Sequence, residues 1–221
     1  MRSYMILSVA AAAVALPLAA RADVTFSDST FPDANWPMVQ ITGTGASSSA
    51  QIASGGNPGA AREFTTTVNS GFPSSVFAFH QFGNTTATIY TPSSQGAIAS
   101  ILASMDYLAV SGQQNLAFGM KQANVFYYAA PVLASDAAGY HTDAATLTAA
   151  DFVRVDGQPG NPNFVSGNSI RFGIMTFNAT GADGNQFTTV ADVDNWSVHL
   201  VPAPGSLALL GLAGLGLRRR R

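Results

Sequence analysis

Apolar and polar positions alternate with a period of two in several short runs of this chain. The clearest run places Ile170, Phe172 and Ile174 on one side, with Arg171 and Gly173 between them. A second places Trp196, Val198 and Leu200 together, with Ser197 and His199 between. Such alternation is the mark of a strand that buries one face. Strand-like runs are read at residues 24–27, 38–44, 62–68, 76–82, 87–91, 100–110, 116–121, 125–129, 151–155, 170–177 and 194–200. Clusters of Gly, Pro and Asn at 55–59, 157–163 and 181–185 separate some of them as loops. Many short strands with such breaks predict an all-β antiparallel sandwich or barrel. No internal repeat is present, which argues against a propeller or a solenoid.

Two segments fit more than one template. Ile98, Ile101, Leu102 and Met105 make a helical stripe, while Ile101, Ala103, Met105 and Tyr107 alternate as a strand. The strand is preferred because its neighbours are strands. Residues 143–150 are read as holding one helical turn, capped by Thr142 or Asp143. Trp36 and Trp196 are read as core residues.

The two ends differ from the body between them. Arg2 is followed by an apolar stretch from residue 5 to 18, and Ala20 and Ala22 put small residues where a signal peptidase reads. A secretory signal of residues 1–22, cleaved before Asp23, is therefore expected. The last 21 residues read VPAPGSLALLGLAGLGLRRRR. Pro202 and Pro204 lack the N–H that a continuing ladder needs. The apolar run from 206 to 217 holds Leu207, Leu209, Leu210, Leu212, Leu215 and Leu217. As a helix it would be roughly 18 Å long, against a hydrocarbon core of roughly 30 Å. Arg218, Arg219, Arg220 and Arg221 would stay on the cytoplasmic side.

This order of a Pro-containing motif (Val201, Pro202, Ala203, Pro204), a short hydrophobic helix and a basic terminus resembles the PEP-CTERM sorting tail of Gram-negative bacteria. Ala203 stands where that family usually has Glu. The resemblance implies export, transient anchoring in the inner membrane and processing by an exosortase-type membrane protease. Transfer to the cell surface or extracellular matrix would follow, often in company with exopolysaccharide. The organisation expected is a signal over 1–22, a β-sandwich over 23–200 and a sorting tail over 201–221.

Removing the ends changes the charge. Between residues 23 and 201 stand four basic residues, Arg62, Lys121, Arg154 and Arg171, and all 12 acidic ones, a net charge of −8. An acidic body repels nucleic acid and anionic membranes, so neither is expected as a partner. Charged side chains make up only 10% of the whole chain, and there is no Cys. That excludes a disulfide scaffold and a thiolate site.

Four segments, GGNPGAARE, TAADFVRV, SIRFGIMTFN and VDNWSVHL, occur in that order and resemble secreted jelly-roll domains of the concanavalin-like and carbohydrate-binding-module kind. The resemblance implies an antiparallel jelly-roll sandwich with a lectin-like or structural role. Catalytic constellations are sparse. Glu63 is the only Glu, and His80, His141 and His199 are scattered, each read as a surface or partly buried side chain. No HExxH, GxSxG or phosphate loop is present. The three N-glycosylation-like triplets are read as chance matches.

A mixture suited to sugars, aromatic faces beside planar polar groups, is found in Lys121, Gln122, Asn124, Phe126, Tyr127, Tyr128, Tyr140 and Arg171. Lys121 and Arg171 each interrupt an apolar strand and face away from its buried side. Lys121, Tyr127, Tyr128 and Arg171 are the candidate glycan-binding residues. Two other classes are weighed: a glycan hydrolase or lyase using Glu63 with a neighbouring Asp, and, last, an ice-binding protein. The latter needs a flat, regularly spaced Thr array that Thr65–Thr67, Thr85, Thr86, Thr188 and Thr189 do not form, since they stand at no repeating interval. By strand parity Asp194 falls on the apolar side with Trp196, where it needs a counter-charge or several N–H donors. Arg62 is one candidate partner. A structural Ca²⁺ is the other, because jelly-roll modules often hold one where the first and last strands meet, with Asp28 or Asp23 as a further ligand.

Intact-mass measurement of the protein from its native host tests the reading of the ends. A product starting at Asp23 and lacking Arg218–Arg221 is expected, and one running from Met1 to Arg221 would contradict it.

Overall fold

A computed structural model describes residues 23–135, 138–181 and 183–204. The segments read as the signal and as the hydrophobic and basic parts of the tail lie outside the described residues. So do the candidate cleavage residues Ala20 and Ala22. Among the described residues, twelve strands run in the order β1 (Val24–Asp28), β2 (Met38–Gly43), β3 (Gly45–Gly56), β4 (Gly59–Val68), β5 (Ser75–Gln81) and β6 (Ile98–Ser111), then β7 (Gln114–Gln122), β8 (Val125–Ala134), β9 (His141–Leu147), β10 (Val153–Arg154), β11 (Ile170–Ala179) and β12 (Phe187–Pro202).

They form two six-stranded antiparallel sheets. One has the order β3-β4-β12-β6-β9, with β1 also paired to β12; the other has the order β10-β8-β7-β11-β5-β2. Parity decides what lies between them. Phe64, Ile101, Met105, Val193, Trp196 and Val198 from the first sheet join Leu116, Phe118, Met120, Ile170, Phe172 and Ile174 from the second in one buried core. At one end an aromatic group closes it: Trp36 and Trp196 meet edge-on at 5.3 Å, and Phe82 lies 5.0 Å from Trp196. Both tryptophans are buried, as the sequence predicts.

Several expectations need correction. Residues 45–56, rich in Gly, Ser and Ala, were not read as a strand, yet they pair along β4 and close a hairpin at Asn57-Pro58. Their low strand propensity is overridden by pairing with β4, itself held by β12. Residues 87–91 are not a strand; Thr86–Thr88 form a 3-10 turn, and only Tyr90 bridges, to Ile170. The helical turn read over 143–150 is mostly strand β9, followed by a 3-10 turn at Ala149–Asp151 capped by Thr148. Thr142 and Asp143 therefore cap nothing. Strand β12 runs through Val201 and Pro202, and the Ala203 N–H donates to the Ala97 carbonyl at 2.9 Å. Half of the tail's Pro-containing motif is thus part of the sheet.

His80 is fully buried, not at the surface. Its ring nitrogens lie 3.0 Å from Ser49 Oγ and 3.2 Å from Thr176 Oγ1. Burial, with help from the Arg62 charge, pushes its pKa down to about 3, so it is neutral. Arg62, only 2% exposed, also points into the interior. It donates to Asp33 Oδ1 at 2.5 Å, to Ser49 Oγ and O, and to the carbonyls of Phe31 and Trp36. One guanidinium thereby ties the loop between β1 and β2 to β3. Arg62→Ala is expected to cost about 3–5 kcal/mol in urea denaturation, because it leaves buried carbonyls without donors. Asp33→Asn should cost much less, since Asp33 is largely exposed; equal costs would contradict this account.

Candidate functional site

The second sheet carries a second apolar cluster, on the face turned away from the core. Strand β11 buries Ile170, Phe172 and Ile174, so Arg171, Gly173, Met175 and Phe177 take the outer face. Their register partners share it: Lys121 opposite Arg171, Gly119 opposite Gly173, and Ala117 opposite Met175 on β7. On the far side of β7, Phe126 lies opposite Lys121 and Tyr128 opposite Gly119. On the far side of β11, Phe79 lies opposite Met175 and Phe77 opposite Phe177.

Gly119 lets this face close up. A Cβ there would stand 3.0 Å from ring carbons of Phe79, so that ring lies across the glycine. Phe79 in turn meets Phe126 at 5.7 Å. Phe77 and Phe177 stack at 5.3 Å with planes 6° apart, and Tyr128 sits 5.3 Å from Phe177. Phe79, Ala117 and Met175 are fully buried, while Phe77, Phe126, Tyr128 and Phe177 keep part of their surface accessible. The result is a row of half-buried rings on a rigid sheet.

At one end of this row lies an open cleft of about 440 Å³. Lys121 and Arg171 form part of its wall, with Thr91, Asn124, Asn168 and Ser169 around them. Lys121 Nζ stands 5.3 Å over the Phe126 ring. The Arg171 Nη1 atom is shielded from water and has no hydrogen-bond partner. Gln122, buried beneath, holds the 163–168 loop by donating to the carbonyls of Asn163 and Asn168 and accepting from the Asn163 N–H.

Of the candidate glycan residues, Lys121, Tyr128 and Arg171 are brought together. Tyr127 is not: it is 7% exposed and points into the core, because the pleat of β8 sends Phe126 and Tyr128 the other way. Tyr140 lies elsewhere, near the acids of the first sheet. Sequence reasoning missed Phe77 and Phe177. The parity that singled out Arg171 places Phe177 on the same face, so that signal was present.

The outer face of the first sheet is acidic. Asp194 belongs to it, not to the apolar side. Asn195 has φ 49°, and the β12–β6 register shifts between Asp194 and Ser197, so a bulge reverses the parity that Trp196, Val198 and Leu200 suggest. Arg62 is not its partner. Asp194 is fully buried because the β3–β4 hairpin tip lies on it: Oδ2 accepts from the Asn57 N–H at 2.5 Å, and Oδ1 from the Asn195 N–H at 2.6 Å. Asp106, opposite it, accepts from Thr142 Oγ1, Asn195 Nδ2 and Asn57 Nδ2. Hydrogen-bond donors satisfy both carboxylates.

Asp28 is not at that place. Its carboxylate accepts from the Thr30 N–H and hydroxyl, the Phe31 N–H and Trp36 Nε1, all within 2.8–2.9 Å. Asp23 lies by His199. Among the described residues, no group of three or more His, Cys, Asp or Glu is arranged to hold a metal ion. The candidate threonines are not one surface: Thr66 and Thr189 are buried, while Thr67 Oγ1 and Thr188 Oγ1 bond at 2.9 Å.

Glu63 does have an aspartate neighbour, Asp192, directly opposite on β12. Asp192 is 5% exposed, and its Oδ1 has no hydrogen-bond partner. Burial, with Glu63 adding repulsion, pushes its pKa up to about 6. Burial together with Asp192, Asp194 and Asp106 pushes the Tyr140 hydroxyl up as well. Among the described residues, no helix is long and apolar enough to cross a membrane.

No family model and no curated protein matches the chain. Among solved structures, it is similar to the family 11 carbohydrate-binding module of the cellulase Lic26A-Cel5E of Clostridium thermocellum. The identity is 15%, over 83% of this chain and 96% of that one, with a TM-score of 0.49. It is also similar to the CBM22-1 xylan-binding domain of Paenibacillus barcinonensis Xyn10C, at 12% identity over 82% and 95% of the two chains, with a TM-score of 0.44. At these values the likeness says nothing of a ligand, and the chemistry of the site rests on this chain's own residues.

The Asp192 shift has a defined sign. Its folded pKa lies above the ordinary value of 3.8, so the ionised form penalises the folded state. That penalty is absent below about 3.8, grows as pH rises and is complete above about 6. Asp192→Asn is expected to raise the thermal midpoint at pH 7.5 by ~2–4 °C, the equivalent of ~1 kcal/mol in a domain of this size. At pH 4 the difference should vanish; an equal shift at both pH values would contradict the assignment.

Proposed function

We propose that this is an exported protein, sorted through its C-terminal tail to the cell surface or extracellular matrix, whose sandwich body binds glycans without transforming them. The sorting half rests on the signal-like start and the tail's resemblance to PEP-CTERM segments. Signal peptidase and an exosortase-type protease are its implied processing partners, and an exopolysaccharide is the implied ligand.

The single observation that supports binding is the ring row on the outer face of the second sheet, Phe77, Phe126, Tyr128 and Phe177, ending in a polar cleft. Sugar rings present flat C–H faces and hydroxyl edges. Half-buried aromatic rings match the first, and a cleft of hydroxyls, amides and cations matches the second. Holding the rings on paired strands means that little side-chain freedom is lost on binding, which favours affinity.

A second reading, a hydrolase on the opposite face, has one observation in its favour. Asp192, with its raised pKa, sits across from Glu63, as an acid and a base would. Against it, Asp192 is almost inaccessible, and the cations and rings lie on the other sheet.

Affinity electrophoresis of the full-length chain through gels containing a panel of polysaccharides separates the two. Retardation by at least one polysaccharide is expected, with no new reducing ends. Tyr128→Ala should weaken it by about tenfold or more, as loss of an aromatic anchor does, while the thermal midpoint stays within a few degrees. Retardation unaffected by Tyr128→Ala would contradict the site. Reducing ends that disappear in Glu63→Gln and Asp192→Asn would establish the hydrolase instead.

A further inference from the structure

The charge distribution of the cleft is not what a neutral sugar would require. The body has four basic side chains among its 12 acids. Two of the four are spent on ion pairs: Arg62 with Asp33, and Arg154 with Asp156. Among the described residues, neither Lys121 nor Arg171 has a carboxylate partner. They stand directly opposite each other across β7 and β11. Like charges in a cross-strand pair repel and cost stability. In a chain so rich in acids, a neighbouring Asp would be the simplest remedy, and the cleft has none in its lining.

Arg171 Nη1, screened from water, also meets no protein acceptor. Lys121 is positioned over the Phe126 ring, which holds an ammonium without neutralising it. Two cations without carboxylate partners and a surrounding set of hydroxyls and amides make a site that an anion completes.

We propose that the cleft is an anion subsite, and that the glycan bound along the ring row is an acidic polysaccharide whose negatively charged sugar units seat between Lys121 and Arg171. This deepens the glycan-binding reading and rests on it. A carboxylate presents two oxygens to the planar fork of a guanidinium, giving short, charge-assisted hydrogen bonds. A sulfate ester offers the same charge and acceptors. The body's net charge of −8 does not forbid such a ligand. Glu63, Asp106, Asp192 and Asp194 are on the outer face of the other sheet, with the full core between. At physiological salt, charges separated by more than about 8 Å are largely screened.

The test is calorimetric titration of the full-length chain with oligogalacturonate, its fully methyl-esterified form, a sulfated galactan oligomer and a cello-oligosaccharide. The acid and its ester share one ring and differ by the charge and one methyl group on each carboxyl. The acid, the sulfate or both are expected to bind about tenfold or more tighter than the neutral sugars, the gain of a charge-assisted contact. Which of the two binds tighter identifies the anion. Lys121→Gln with Arg171→Gln should erase the preference, so that the double variant binds the charged and the neutral sugars alike. Lys121→Glu supplies a check that does not depend on a ligand, because it converts the repelling pair into an ion pair. It should raise the thermal midpoint and abolish the preference for acid. If neither the acid nor the sulfate binds tighter than the neutral sugars, or if a preference survives the double substitution, the subsite is overturned and glycan binding is left standing. If no saccharide binds, both readings fall.

Discussion

Alternation along a paired strand is the constraint on which this molecule depends. Once β11 commits Ile170, Phe172 and Ile174 to the core, the same backbone commits Arg171, Gly173, Met175 and Phe177 to the opposite face. Pairing then propagates the choice sideways, so that β7, β8 and β5 add Lys121, Phe126, Tyr128, Phe79 and Phe77 to one surface. Core and site are thus two sides of one decision. The core supplies the hydrophobic driving force, and the site inherits rigidity from it. Gly119 adds no side chain, which leaves room for the Phe79 ring to cross the face, and a Cβ on Gly173, its register partner, would stand 2.1 Å from the His80 carbonyl oxygen of β5.

The first sheet shows what happens when alternation is broken. The bulge at Asn195 turns Asp194 outward while Trp196 remains in the core. Asp194 then meets the hairpin tip at Asn57, and Asp106 anchors both asparagines. Gly56 is required for this contact, since a Cβ there would stand 2.4 Å from the Ala60 carbonyl oxygen and 2.7 Å from Asp194 Oδ2. Asp106 and Asp194 are spent on holding the hairpin, while Asp192 Oδ1 stays unpartnered. The two outer faces therefore differ in kind: acids that mostly fasten structure on one, and rings with unpaired cations on the other.

Much of the fold was legible wherever period-two patterning was strong. Strands β5, β6, β7, β11 and the end of β12, the burial of Trp196, and the outward direction of Lys121 and Arg171 were legible in this way. The misreadings have local physical causes. β3 is built from Gly, Ser and Ala, which show no apolar period, and it exists because β4 offers a pairing edge. The segment at β9 is rich in Ala, a good helix former, yet β6 captures it. In Phe126-Tyr127-Tyr128 three aromatic residues stand in a row, so composition gives no sign of which faces inward. Asp194 was misplaced because a bulge adds one residue without a strong mark in sequence, and Asn at φ 49° is tolerated where most residues are not. The ring-row residues Phe77 and Phe177 lie on strands legible in the sequence, on the face opposite the core, which the apolar pattern of those strands does not single out.

The central claim is that the outer face of the second sheet, and not the acidic face of the first, is where this protein meets its ligand. Backbone amide NMR of the full-length chain, titrated with an acidic oligosaccharide, tests it most directly. The account predicts saturable shift changes concentrated at Lys121, Phe126, Tyr128, Arg171 and Gly173, with Glu63, Asp106, Asp192 and Asp194 unmoved. Changes centred on Glu63 and Asp192, or none at any residue of the ring row, would contradict it.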